Sequence, residues 1–195
     1  MVKLKGQSNF NHGETVQTGI LLCNLGTPDK PDRKSVKKYL KQFLSDPRVV
    51  ELPKIIWWPL LNFIILNTRP SKSAHAYSKI WTANGSPLLH YSDNIVKALN
   101  NEFKQTTPWL SVKLGMRYGN PSIKDALDEL ITEGAREIVF IPMFPQYASA
   151  TTGSLLQCAF EYLSKLRWIP KFRFTTNYHN HEIYIKSLSN SIENY

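Results

Sequence analysis

The chain has 195 residues, 42% of them apolar, and 24 Lys and Arg against 15 Asp and Glu, a formal net charge of +9. This length fits one sizeable domain, or one domain with the start of another, and the composition excludes wholesale disorder. No zinc-finger spacing or aromatic RNA-binding motif accompanies the basic residues crowded at 30–41, so they read as a solvated helix face and nucleic acid is not an expected partner.

Residues 1–17 are polar and aperiodic and read as a flexible amino-terminal arm. Lys3 and Lys5 have no apolar stretch behind them, so no signal peptide is expected. The continuous apolar run 20–25, closed by Gly26, Thr27 and Pro28, predicts a buried strand. Asp32 is placed to cap the next helix, in which Val36, Tyr39, Leu40, Phe43 and Leu44 form one apolar stripe. Asp46 and Pro47 end it.

Residues 54–67 predict a helical segment that is apolar nearly all round, with Pro59 and Asn62 inside it. It is shorter than the ~20 residues a spanning helix needs. Arg69, Pro70 and Ser71 are expected to terminate it, with helix resuming at 73–81. A turn at Gly85, Ser86 and Pro87 precedes a helix capped by Ser92 and bearing Ile95, Val96, Leu99 and Phe103. Strand 112–116 follows. Ser122 with Asp125 then forms a capping box for a helix carrying Ile123, Ala126, Leu127, Leu130 and Ile131.

Gly134 suits the end of that helix, and 138–141 is a short, β-branched, buried strand. Pro142 and Pro145 stop its ladder. A polar loop, Gln146 to Ser154, opens a helix bearing Leu155, Leu156, Ala159, Phe160, Leu163 and Leu166. Strand 172–175 and a last amphipathic helix from about Glu182 complete the chain. Strand and helix alternating at this spacing imply right-handed βαβ units and a parallel sheet, an α/β fold. Cys23 and Cys158, far apart and in apolar surroundings, read as free thiols of a reducing compartment.

In a parallel sheet the loops after the strands share one edge, where open α/β sheets hold ligands. Leu25, Gly26 and Thr27 lie there after the first strand, Arg117 and Tyr118 after the second, and Gln146, Tyr147 and Ser149 after the third. Arg69 and Ser86 belong to the excursion between the first two strands. Together they suit a flat apolar ligand with carboxylates on its rim, since arginine binds carboxylate bidentately. The pattern alone equally allows Arg117 to pair with an acidic residue while Tyr118 and Tyr147 only pack. No G-x-G-x-x-G, G-K-[ST] or G-x-S-x-G is present, which excludes the usual dinucleotide, nucleoside-triphosphate and serine-hydrolase cradles. His179 and His181 read as a polar helix start rather than as metal ligands.

Five separated blocks carry a further signal: G-I-L-L-C-N-L-G-T-P at 19–28, Y-L-K-Q-F-L-S-D at 39–46, G-S-P-L at 85–88, G-M-R-Y-G at 115–119 and F-P-Q-Y at 144–147. In this order they resemble the ferrochelatases, which insert ferrous iron into protoporphyrin IX. The resemblance implies one lobe of a two-lobe, Rossmann-like architecture: a flexible arm at 1–17, a chelatase-like lobe at 18–181 and the first helix of a second lobe at 182–195. It implies that Leu25 faces the macrocycle and that Arg69 and Ser86 lie near the propionates. Arg117 and Tyr118 line the inner wall in this reading, and Tyr147 is the aromatic of the Q-Y loop.

Residues 55–66 resemble the lip of the porphyrin cleft, which in some relatives touches the membrane, so the expected location is cytoplasmic with peripheral membrane contact. Ferrous iron enters as substrate, and no cofactor is expected in these residues. The family's catalytic histidine lies in an F-x-x-H-[GS]-[IL]-P-like block beyond a helix resembling 182–195, and its acidic partner lies further on. The expectation is therefore porphyrin binding without turnover by this chain alone. The alternatives are a non-catalytic tetrapyrrole-binding module and a chelatase relative for another metal.

Overall fold

β1 (Gln17–Gly26) occupies the inside of a four-stranded parallel sheet of order β2-β1-β3-β4. Its neighbours are β2 (Leu110–Tyr118) and β3 (Ala135–Pro142), and β4 (Lys171–Phe174) forms the edge beside β3. The computed structural model describes residues 4–6 and 16–194, and the remainder of the expected amino-terminal arm lies outside the described residues. Period-two alternation along β1 feeds two cores. Leu21 and Cys23 join Ile138 and Phe140 against α5 (Ile123–Thr132) and α6 (Ser154–Leu163). Ile20 and Leu22 join Val112, Leu114 and Met116 against α4 (Pro87–Thr106). Both faces of the sheet are covered, as a parallel sheet with apolar strands requires.

A third cluster caps the carboxyl end of the sheet. Val36, Tyr39, Leu40 and Leu44 of α1 (Arg33–Leu44) pack there with Tyr118, Leu61, Leu66 and Ala74. Asp32 accepts the Ser35 amide at 2.8 Å and Ser122 accepts the Asp125 amide at 3.1 Å, so both expected caps form. Gly134 takes the expected positive φ, +95°. Lys5 departs from the reading of a loose arm: its backbone bonds Lys165 and Arg167 beyond α6, and its ammonium pairs with Asp128.

Two further expectations are corrected. Helix does not stop at Arg69–Ser71. After α2 (Lys54–Pro59) the backbone widens into a π-helical stretch, Leu60–Ile65, and α3 runs without interruption as Leu66–Ile80 with Pro70 inside. A proline ring collides with the carbonyl four residues back. Here that residue, Leu66, has a ψ of only −5° at the end of the wide turn, which distorts the backbone where the ring must fit. Ser92 is not a cap either. α4 starts at Pro87 with Ser86 in the cap position, and Ser92 lies buried a turn and a half inside, where its hydroxyl receives Asn24 Nδ2 of β1 at 3.3 Å. Both cysteines are free, and burial pushes both thiols up.

No helix among the described residues is long and apolar enough to cross a membrane. The segment from Lys54 still presents Ile55, Ile56, Trp58, Phe63 and Ile64 to solvent, each more than half exposed. Leu61 and Leu66 anchor it inward, and Trp57 Nε1 donates to the Leu44 carbonyl at 2.6 Å.

Candidate functional site

The strands deliver their side chains to the expected edge, and a carboxylate missed by the sequence reading organises them. Asp46, just past α1, has a side chain only 2% exposed. Its Oδ2 accepts Arg117 Nη2 at 2.5 Å, the Tyr118 hydroxyl at 2.8 Å and the Ser154 hydroxyl at 2.5 Å, while Oδ1 accepts the Arg48 amide at 2.8 Å. Ser154, at the first turn of α6, also accepts Arg117 Nε at 2.6 Å. Burial alone would raise the Asp46 carboxyl. The bonds from Ser154, Arg48 and Tyr118 and the charge of Arg117 outweigh it and hold the group below the ordinary aspartate range. Burial pushes the Tyr118 phenol up to about 12.

Arg117 is therefore not a free cation on a cleft wall. Its charge is matched by Asp46, with the guanidinium 4.7 Å from the centre of the Tyr118 ring. Tyr118, expected on the inner wall, is 1% exposed between Tyr39 and Phe43 and presents no surface to a ligand. Acid pairing and packing, the other reading of these two residues, is what the structure shows. The physical reason is α1, which crosses the carboxyl end of β2 and brings Asp46 over it. Only the proximity of Asp46, Pro47 and Arg48 to a helix end hinted at this in the sequence. A pairing across 71 residues leaves no local signature.

The other expected residues are dispersed. Tyr147 is 53% exposed in the loop after β3. It lines an open groove of about 560 Å³ together with Phe144, Gln146 and Thr151 on one side and His179, Tyr184 and Leu188 on the other, the last two from α7 (Glu182–Glu193). His181 starts that helix, its Nδ1 accepting the Ile183 amide at 3.3 Å. Leu25 is half-buried against the α1 cluster. Arg69 is exposed on α3, and Ser86 is buried at the start of α4. Among the described residues no hydrogen bond or ion pair joins either of them to the Asp46 group.

The turn between Tyr147 and Ser154 is itself unusual. Ser149–Gly153 is a π-helical turn closed by the Gly153 amide on the Ala148 carbonyl at 3.1 Å, a widening that recurs at functional sites. It sets Ser154 inward toward Asp46 and Tyr147 outward toward the groove.

A parallel sheet covered on both faces, with a buried acid–guanidinium hub and a groove at its carboxyl edge, defines a Rossmann-like α/β lobe. The chain belongs to the ferrochelatase family, whose model matches residues 17–195. The ferrochelatase of Pseudoalteromonas atlantica is 43% identical over 192 residues, covering 98% of this chain and 53% of that protein. That of Dechloromonas aromatica is 47% identical, covering 93% and 49%, and that of Actinobacillus pleuropneumoniae is 48% identical, covering 92% and 56%. The chain thus spans about half the length of the curated relatives it matches.

Proposed function

We propose that the chain serves ferrochelatase-type insertion of ferrous iron into protoporphyrin IX in haem biosynthesis, and that its part is to bind and orient the porphyrin. The observation that carries this reading is the family match over residues 17–195, which takes in every strand of the sheet and the groove at its edge. Metallation removes two pyrrole protons while the ring is held still, so rigid placement of the ring is half of the task. In this reading Leu25 lies against the macrocycle, Arg69 and Ser86 lie toward the propionates, and Tyr147 flanks the ring. Arg117 and Tyr118 act through Asp46, fixing α1 and the start of α6 around the site. Both iron and porphyrin are substrates.

Titrating the chain into protoporphyrin IX tests this reading. Saturable fluorescence quenching with a Kd on the order of micromolar is the expected result, weakened by Leu25→Asp. Quenching that does not saturate, or that Leu25→Asp leaves unchanged, overturns it.

The exposed Ile55, Ile56, Trp58, Phe63 and Ile64 support the further proposal of peripheral contact with the cytoplasmic membrane face. Exposed apolar side chains clustered on one short segment favour a partner phase. Co-sedimentation with anionic phospholipid vesicles is expected for the wild type and lost in Trp58→Glu/Phe63→Glu. Equal sedimentation of both would remove the proposal.

A further inference from the structure

Glycine is the poorest residue for a helical turn short of proline, and Gly153 has no conformational reason to stand in one. Its φ of −62° and ψ of −43° are those of any right-handed helical residue. Space accounts for it instead. A Cβ at this position would lie 3.0 Å from the Tyr147 hydroxyl and 3.1 Å from Arg48 Nη1, closer than carbon atoms pack at their best separation. The tip of the Tyr147 phenol thus takes up room that any other side chain at 153 would claim.

Of the parties to this contact, only one is free to give way. The turn is held, because Thr152 and Ser154 on either side of Gly153 are fully buried and the Ser154 hydroxyl is bonded to both Asp46 and Arg117. Arg48 is held too, its Nε donating to Gln157 Oε1 at 2.6 Å and its Nη1 to Ser149 Oγ at 3.3 Å. The Tyr147 hydroxyl has no hydrogen-bond partner among the described residues, and its side chain lines the open groove after β3. Steric pressure from position 153 therefore falls on Tyr147.

We propose that Gly153 is a positioning residue: by withholding a side chain it seats Tyr147 on the π-helical turn and sets the angle at which the ring flanks a bound macrocycle. The inference rests on the porphyrin-binding reading above. It goes further in assigning the geometry of the Q-Y loop to a residue that does not itself line the groove.

The test measures fluorescence quenching of protoporphyrin IX by Gly153→Ala and Gly153→Val, each made in the wild type and in Tyr147→Ala, beside the unfolding midpoints. Tyr147→Ala alone removes the ring from the macrocycle and should weaken binding by about three- to tenfold. Gly153→Val is expected to lose about as much and Gly153→Ala part of it, and neither should weaken binding further once Tyr147 is already alanine. Alanine is the better helix former, so the midpoint of Gly153→Ala should be no lower than that of the wild type. Weaker binding by an equally stable chain is something a merely structural role would not produce. If the valine variant does not fold, the alanine variant decides. Equal weakening in both backgrounds would place the effect in the turn or in Arg48, and the inference falls while porphyrin binding stands. It falls likewise if neither variant changes binding. If the wild type does not bind the porphyrin, the functional reading falls and takes this inference with it.

Discussion

Asp46→Ala is expected to lower the unfolding free energy by about 3–5 kcal/mol, the usual cost of removing one partner of a buried ion pair. The loss is large because four donors converge on that carboxylate: Arg117, the Tyr118 and Ser154 hydroxyls and the Arg48 amide. Without it, a mostly buried guanidinium is left without a counter-charge. Asp46→Asn should recover little, since its amide would turn N–H groups toward groups that are already donors. The effect also has a pH signature. The carboxyl is held below its ordinary value in the folded chain, so its stabilisation is fully present above the unfolded-state value near ~4 and is lost as pH falls through the lower folded-state value. Urea unfolding should show a constant gap between wild type and Asp46→Ala from pH 7 to about pH 5, closing below about pH 4. A gap under about 1 kcal/mol at pH 7 would mean that the hub is incidental.

Gly26→Ala should cost about 4 kcal/mol or more, enough to leave little folded protein. Gly26 has φ of +102°, and an added Cβ would sit 1.8 Å from the Tyr118 carbonyl oxygen, so the ends of β1 and β2 must part. Gly85→Ala is the matched control. Its φ is +89°, but nothing lies within 4 Å of the added carbon, so only backbone strain of about 1–2 kcal/mol remains. The difference between the two variants measures the close approach of the strands, and equal midpoints would disprove it.

Local signals made much of the fold legible. Asp32 and Ser122 announce helices because a cap is satisfied within three residues, and Gly134 announces a helix end because its φ is positive. β1 and β3 are legible as short apolar runs between breakers. Pro70 misleads because its cost depends on the geometry of Leu66, which a wide turn upstream alters. Neither π-helical turn has a periodicity that a sequence pattern reveals. For the site, the edge that would carry it was readable from the strand ends, but the chemistry there was not. Arg117 reads in the sequence as a free cation, and only the position of Asp46 just past the end of α1 shows that it is already matched.

The inside position of β1 has a consequence for how the chain is made. This strand is made before the strands it pairs with, Leu110–Tyr118 and Ala135–Pro142. At synthesis rates of ~5–20 residues per second, the wait between Thr18 and its partner Leu110 is roughly 5–20 s. Throughout that interval the run of Ile20, Leu21, Leu22 and Cys23 lacks both of the strands it pairs with in the folded sheet, so its burial waits on residues made much later.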